Sequence, residues 1–302
     1  MYLIVPWILL FIFQMRSFTL STVIATALAA YSGTDFSLNG ANWPDLCQSG
    51  MEQSPIDLSD FMPSDRLSID LDNYEDTEGM MVDLGSTVQF NFEDPGFARM
   101  ALIRGDGSVS EWVPAQFHYH APSEHTIGGR QLDLEVHFVH LPRGGPDPEG
   151  QGFAAVLGVF FDREMGGNYP NQFIDSMRFD QIGAGSETWE SGRIPLDNLL
   201  DLAEDSSFAS YDGSLTTPPC TEGVKWTVSM NVQPISDEQL EWFTRNYAGK
   251  YDFAKGQGNY RLTQPLNGRT VYYHDAGMTL YEDMGAASLT AAAVAIMALL
   301  NF

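Results

Sequence analysis

Gln116-Phe117-His118-Tyr119-His120 sets two histidines one residue apart, and His137 follows seventeen residues after His120 in Glu135-Val136-His137. Side chains i and i+2 share one face of a strand. His118 and His120 therefore point the same way, and a neighbouring strand over Leu132–His140 carries His137 to the same place. Three neutral imidazoles with no fourth protein ligand describe an open catalytic zinc site, whose remaining position is left to water. An isolated His-x-His is usually incidental. Here five of the six histidines lie between 118 and 140, which concentrates the signal.

Outward from this stretch the chain reads as strands. Thr87–Phe92, Glu135–Leu141, Ala154–Phe161 and Lys225–Val232 are apolar, strand-like runs separated by Gly, Pro and Asp clusters, the pattern of a mainly β fold. Helical patterns are short, at Leu196–Ala203 and Ser236–Tyr247. No internal repeat or long linker divides the 302 residues, so one β-rich domain is expected.

Longer quotations carry a family resemblance. Phe117-His118-Tyr119-His120-Ala121-Pro122-Ser123-Glu124-His125-Thr126-Ile127 and Glu135-Val136-His137-Phe138-Val139-His140 resemble the zinc-binding core of the alpha-class carbonic anhydrases. The Pro-Ser-Glu-His form is nearest the plant, algal and bacterial branch. Gln53-Ser54-Pro55-Ile56-Asp57 is similar to the family's N-terminal signature. Tyr211-Asp212-Gly213-Ser214-Leu215-Thr216-Thr217-Pro218-Pro219-Cys220 resembles its threonine loop, and Asn259 to Arg269 its C-terminal signature. Four blocks in order, spanning roughly residues 35 to 275, are far more specific than any one motif.

The resemblance implies a mainly β (α+β) single domain: a large, mostly antiparallel twisted sheet with short peripheral helices and a conical zinc cavity. It implies reversible hydration of carbon dioxide to bicarbonate by hydroxide generated on Zn2+. His118, His120 and His137 are the implied metal ligands. Gln116 and Glu135 are the implied acceptors of the His118 and His137 ring N–H groups, which fix tautomer and orientation. Thr216 matches the threonine that orients the nucleophile, Glu124 the carboxylate that takes the threonine's proton, and Tyr211 the tyrosine supporting both. Val139, Val156, Leu215, Val224 and Trp226, with Thr217, fall at the positions of the substrate pocket, although each apolar member is equally suited to plain core. His125 and His140 read as structural.

Two departures stand out. Fast members carry a proton-relaying histidine where this chain has Ser86 or Thr87, and a hydroxyl does not titrate near pH 7 as histidine does. Phe36 replaces a water-ordering tyrosine, with Tyr31 nearby. The competing reading is a weak or silent relative acting as a cell-surface binding or scaffold protein. Silent relatives usually lose a ligand histidine, and this chain keeps all three. No His-Glu-x-x-His or Gly-x-Ser-x-Gly motif supports another hydrolase.

Charge and termini bound the setting. Forty acidic against fifteen basic residues give a net charge of −25, which argues against nucleic-acid partners; a small-molecule substrate is what the resemblance implies. Residues 1–30 are mostly apolar and lack acidic groups. They end in Ala27-Leu28-Ala29, a small-x-small pattern, so 1–29 reads as a signal peptide, with Met15 as an alternative start and a bipartite organelle leader or a signal anchor as the other readings. The catalytic domain then spans 30–283. The 284–302 tail, with small residues before the apolar run Ala291–Leu300, reads as a glycosylphosphatidylinositol anchor signal, against a frayed terminal helix. Secretion to the extracellular space or cell surface makes a disulfide natural. The resemblance pairs Cys47 with Cys220, the only two cysteines; two unrelated buried thiols are the other reading.

Overall fold

The computed structural model describes residues 34–275 apart from 65–66, 93–97, 105–106, 144–151, 182–187, 197–198, 201–205 and 246–253. The leader, Tyr31 and the C-terminal tail lie outside the described residues, as does most of Leu196–Ala203.

Fifteen strands are described. They are β1 (Asp57–Leu58), β2 (Met62–Pro63), β3 (Leu67–Asp72), β4 (Met80–Asp83), β5 (Val88–Asn91), β6 (Arg99–Arg104), β7 (Val109–His120) and β8 (Thr126–Ile127). Then follow β9 (Arg130–Gln131), β10 (Leu134–Pro142), β11 (Ala154–Phe161), β12 (Thr188–Glu190), β13 (Phe208–Ser214), β14 (Glu222–Ser229) and β15 (Tyr272–His274). Twelve of them make one sheet, ordered β12-β4-β5-β7-β10-β11-β14-β13-β15-β2, with β6 also on β7 and β3 on β6. Its pairings are antiparallel except β11–β14 and β15–β2. β1, β8 and β9 form a separate three-stranded sheet.

The apolar run of β11 is buried at all eight positions, as expected of a strand covered on both faces. Alternation sorts its neighbours. Phe117, Tyr119, Val136, Phe138, Leu157 and Val159 turn to the rear, where they join Phe173, Phe179 and Phe243 in the larger core. Val156, Phe160, Tyr211, Val224, Trp226 and Val228 turn to the front and form a second core with Ile56 and Ile127. The histidines at 118, 120 and 137 therefore also face front.

Helices are short and peripheral: α1 (Leu46–Ser49), α2 (Gln172–Ser176) and α3 (Asp237–Phe243). Asn171 caps α2 by accepting from the N–H of Phe173. Ser236 and Gln239 form a reciprocal capping box at the start of α3. That sequence signature is why the helix begins where its pattern predicts. β14 starts and ends three residues earlier than Lys225–Val232. A bulge between Gly213 and Ser214 extends its pairing back to Glu222, and Met230 N–H turns to Ser207 O.

A small satellite core of Phe36, Trp43, Cys47, Cys220 and Ala254 sits at the N-terminal segment. The Cys47–Cys220 disulfide lies inside it, with Cα atoms 5.1 Å apart. Phe36 packs edge-on to Trp43 there and is fully buried, so it is a core residue.

Candidate metal centre

The antiparallel register of β7 and β10 sets His118 opposite His137 and His120 opposite Glu135. One ligand atom from each of His118, His120 and His137 lies within 4.8 Å of the others. All three side chains are buried. The His120 and His137 ring centroids are 4.6 Å apart, and His118 lies 5.1 and 5.3 Å from them.

Each ring has one nitrogen committed to an acceptor. His118 Nδ1 donates to Gln116 Oε1 over 2.8 Å, His120 Nδ1 to the Asn259 carbonyl over 2.7 Å, and His137 Nε2 to Glu135 Oε1 over 2.9 Å. Those bonds set the tautomers and put the lone pairs on His118 Nε2, His120 Nε2 and His137 Nδ1. Burial and the neighbouring histidines hold the His118 and His120 pKa values well below the usual range. Burial also lowers His137, against the opposing pull of Glu135. Neutral imidazole is the form that binds a metal.

Two carboxylates complete the charge arrangement. Burial alone pushes Glu135 up, but His125 and His137 outweigh it and hold this carboxylate well below its usual range. Glu135 Oε2 accepts from the N–H groups of Glu124 and His125, and Oε1 also takes His125 Nδ1. Gly158, opposite His137 in the register, leaves room for it: a Cβ there would come within 3.1 Å of Glu135 Oε1. Burial raises Glu124 well above its usual range, partly offset by Thr216 and the Arg261 N–H. Glu124 Oε2 has no partner in hydrogen-bond geometry among the described residues, and lies 3.4 Å from His120 Nε2 and 3.9 Å from His137 Nδ1. An orphaned buried acceptor beside three imidazole lone pairs is the environment a divalent cation satisfies.

Residues 38–275 match the family model for eukaryotic-type carbonic anhydrase. The chain belongs to this family. Its reaction is zinc-dependent hydration of carbon dioxide, and the three-histidine group could hold such an ion. Alpha carbonic anhydrase 3 of Arabidopsis thaliana is 33% identical over 243 residues, covering 78% of each chain. The structure is similar to that of carbonic anhydrase Cah3 from Chlamydomonas reinhardtii in complex with acetazolamide, with a TM-score of 0.61, 29% identity and coverage of 77% of this chain and 94% of that one. A halotolerant carbonic anhydrase from Dunaliella salina gives a TM-score of 0.64 at 28% identity, covering 80% and 97%. The alternative of a silent scaffold protein is not favoured.

The remaining expected site residues fall in several places. Val156, Val224 and Trp226 are buried in the front core, with Val139 and Leu215 half-buried against it. Val139 pairs with Val156, and Val156 with Trp226. The Trp226 ring stands 4.8 Å from that of His137. Thr216 and Thr217 are buried beside Cys220, whose N–H donates to the Thr217 carbonyl. The Tyr211 hydroxyl reaches His125 Nε2 at 2.6 Å and Ser54 Oγ at 2.9 Å rather than Glu124 or Thr216. Its support therefore passes through His125 to Glu135.

Ser86 and Thr87 are both buried, and the Thr87 hydroxyl donates to the Tyr119 carbonyl. His274 is set opposite Phe208, stacks on it and meets Ser210 Oγ. Phe208 belongs to the rear core, so His274 is behind the sheet. Asn259 and Arg261 were visible only as members of the C-terminal block. Their contacts with His120 and Glu124 are made by main-chain atoms, which residue identity does not reveal.

Proposed function

We propose that this chain performs the family reaction at a single zinc ion held by His118, His120 and His137, with Thr216 and Glu124 orienting the nucleophile. One observation carries the reading: each ring's other nitrogen is committed to a built acceptor, so three lone pairs face one point. Bound there, zinc supplies hydroxide near neutrality by lowering the pKa of water to about 7.

The chain's own groups do the rest. The Thr216 hydroxyl donates to Glu124, so its lone pairs accept from the nucleophile's O–H. This leaves the nucleophile's own lone pair turned to the substrate. Carbon dioxide is apolar and sits against Val139, Val156, Leu215, Val224 and Trp226, where few donors compete for it. Thr217 borders the same wall. Gln116 and Glu135 keep two imidazoles in the binding tautomer throughout the cycle. The released proton passes to buffer, because Ser86 and Thr87 have no group that titrates near pH 7.

The test is zinc analysis together with stopped-flow carbon dioxide hydration on the full chain and on His137→Ala. Stoichiometric zinc and turnover in the parent, both lost in the variant, support the assignment. A His137→Ala protein with full zinc and activity overturns it.

The disulfide fits an oxidising compartment. Export with cleavage near Ala29, and a lipid anchor added near Gly285 or Ala286, extend that reading to the cell surface. Mass analysis of the mature protein tests both. An intact Ala291–Phe302 segment rules out the anchor.

A further inference from the structure

The three proposed ligands are not held alike. Gln116 lies on the same strand as His118, and Glu135 on the same strand as His137, so both acceptors are fixed by strand alternation. The acceptor for His120 comes from Asn259, 139 residues along the chain. Only His120 depends on the docking of a distant segment for its orientation.

Against the end of β7 that segment is held by Asn259. The ladder between β5 and β7 stops at the pair Gln89 and His118. Beyond it, Asn259 takes over as a strand would. Its Nδ2 donates to the Tyr119 carbonyl at 2.9 Å and to the Ser86 carbonyl at 2.8 Å. Its Oδ1 accepts from the Ala121 N–H at 2.8 Å, and its own N–H donates to the Ala121 carbonyl at 3.3 Å. Its carbonyl accepts from His120 Nδ1. Both amide donors and the side-chain acceptor are thus used, in a residue 1% exposed. Gly258, at φ +98°, allows the approach: a Cβ there would lie 2.2 Å from the Ala121 carbonyl oxygen.

We propose that the Asn259 side chain is a positioning residue for His120: by stapling Ser86, Tyr119 and Ala121, it holds the carbonyl that aims the imidazole at the metal. The inference rests on the three-histidine zinc site proposed above. Aspartate retains the acceptor but has no donor for the two carbonyls. Serine and alanine are too short to span all three groups. Each replacement leaves the Asn259 carbonyl adrift from His120, and loss of an outer partner of a ligating histidine typically weakens metal binding about 10- to 100-fold.

The experiment measures zinc release into a chelator from the zinc-loaded full chain, from Asn259→Ser and from Asn171→Ala. Asn171→Ala removes the cap of α2, a helix that packs on the rear core through Phe173, and serves as the destabilised control. Stoichiometric zinc in the parent is the first reading, and its absence overturns the site assignment itself. With zinc bound, Asn259→Ser is expected to release it about 10- to 100-fold faster, whereas Asn171→Ala matches the parent. Nitrogen-15 spectra of the rings add a second readout: the His120 Nδ1–H signal shifts or exchanges in Asn259→Ser while those of His118 and His137 stay. Zinc release at the parent rate in Asn259→Ser, with stability lowered as in Asn171→Ala, overturns the proposal and leaves the site intact. The unmodified protein gives a test free of folding defects. The His120 Nδ1–H and the Asn259 amide protons are expected to share one opening free energy once each deuterium-exchange rate is compared with its intrinsic rate, and clearly different values overturn the staple.

Discussion

The main-chain N–H of Arg261 donates to Glu124 Oε1 over 2.9 Å, joining residues 137 positions apart. The same residue's guanidinium is buried and donates to the carbonyls of Cys47 and Ser54 and to Gln53 Oε1. Its side chain also lies over the Trp43 ring. One residue therefore ties the carboxylate of the site to the N-terminal segment. The two ties are separable, because the first is made by the main chain.

Arg261→Met is expected to strand three buried acceptors and to cost on the order of 3 kcal/mol or more. The urea midpoint should fall, while the folded fraction retains zinc at parent stoichiometry because the Arg261 N–H remains. A variant with unchanged stability would show that the guanidinium contacts carry no net weight.

Glu135→Gln keeps the shape but removes the charge that faces both His125 and His137. Zinc affinity is expected to drop about 10- to 100-fold. Competition against a chelator of known affinity measures it, and parent-like binding would contradict the role given to Glu135.

Replacing Cys47 and Cys220 by serine opens a bridge spanning 173 residues. Stability should fall by about 2–4 kcal/mol. Denaturant titration of the oxidised parent, the reduced parent and the double variant checks this, and the last two should agree.

His140 gives a pH prediction. Burial lowers its pKa to about 4. Its Nδ1–H donates to the Phe138 carbonyl, and the Tyr74 hydroxyl donates to Nε2 at 2.5 Å. The unfolded chain takes up the proton near pH 6.5 and the folded chain only near 4. Stability from this group is complete above pH 6.5 and is lost as pH falls through that window, about 3 kcal/mol in all. Substituting His140 by Gln should flatten the stability profile between pH 4 and 6.5. An unchanged slope would assign the acid loss to other groups.

Proton export should limit turnover. Ser86 and Thr87 are buried hydroxyl residues, and His274 is behind the sheet. Hydration rates should rise with imidazole-type buffer at fixed pH and ionic strength. His274→Ala should not change that dependence. Turnover indifferent to buffer from the lowest usable concentration would reveal a relay elsewhere.

The three-histidine cluster is legible in the sequence because strand alternation and two adjacent motifs carry it. Gln116 and Glu135 were legible for the same reason, each lying two residues from the histidine it serves. The front wall was less so, since Val156 and Trp226 read equally well as core and are in fact part of it. The partners of Tyr211 are not legible in the sequence, because His125 and Ser54 come from other segments. Asn259 escaped because a carbonyl oxygen has no sequence signature. Helix α3 was readable at its start through the Ser236 and Gln239 box.

The reach of Asn259 back to His120 also has a consequence for synthesis. A ribosome delivers both paired histidine strands more than a hundred residues before it delivers the segment that orients the second ligand. Arg261, which secures Glu124 and the N-terminal segment, arrives two residues after Asn259. A nascent chain cut short before residue 259 can pair β7 with β10 yet lacks the group that aims His120. Tight loading with metal is thus expected only once synthesis has passed residue 259.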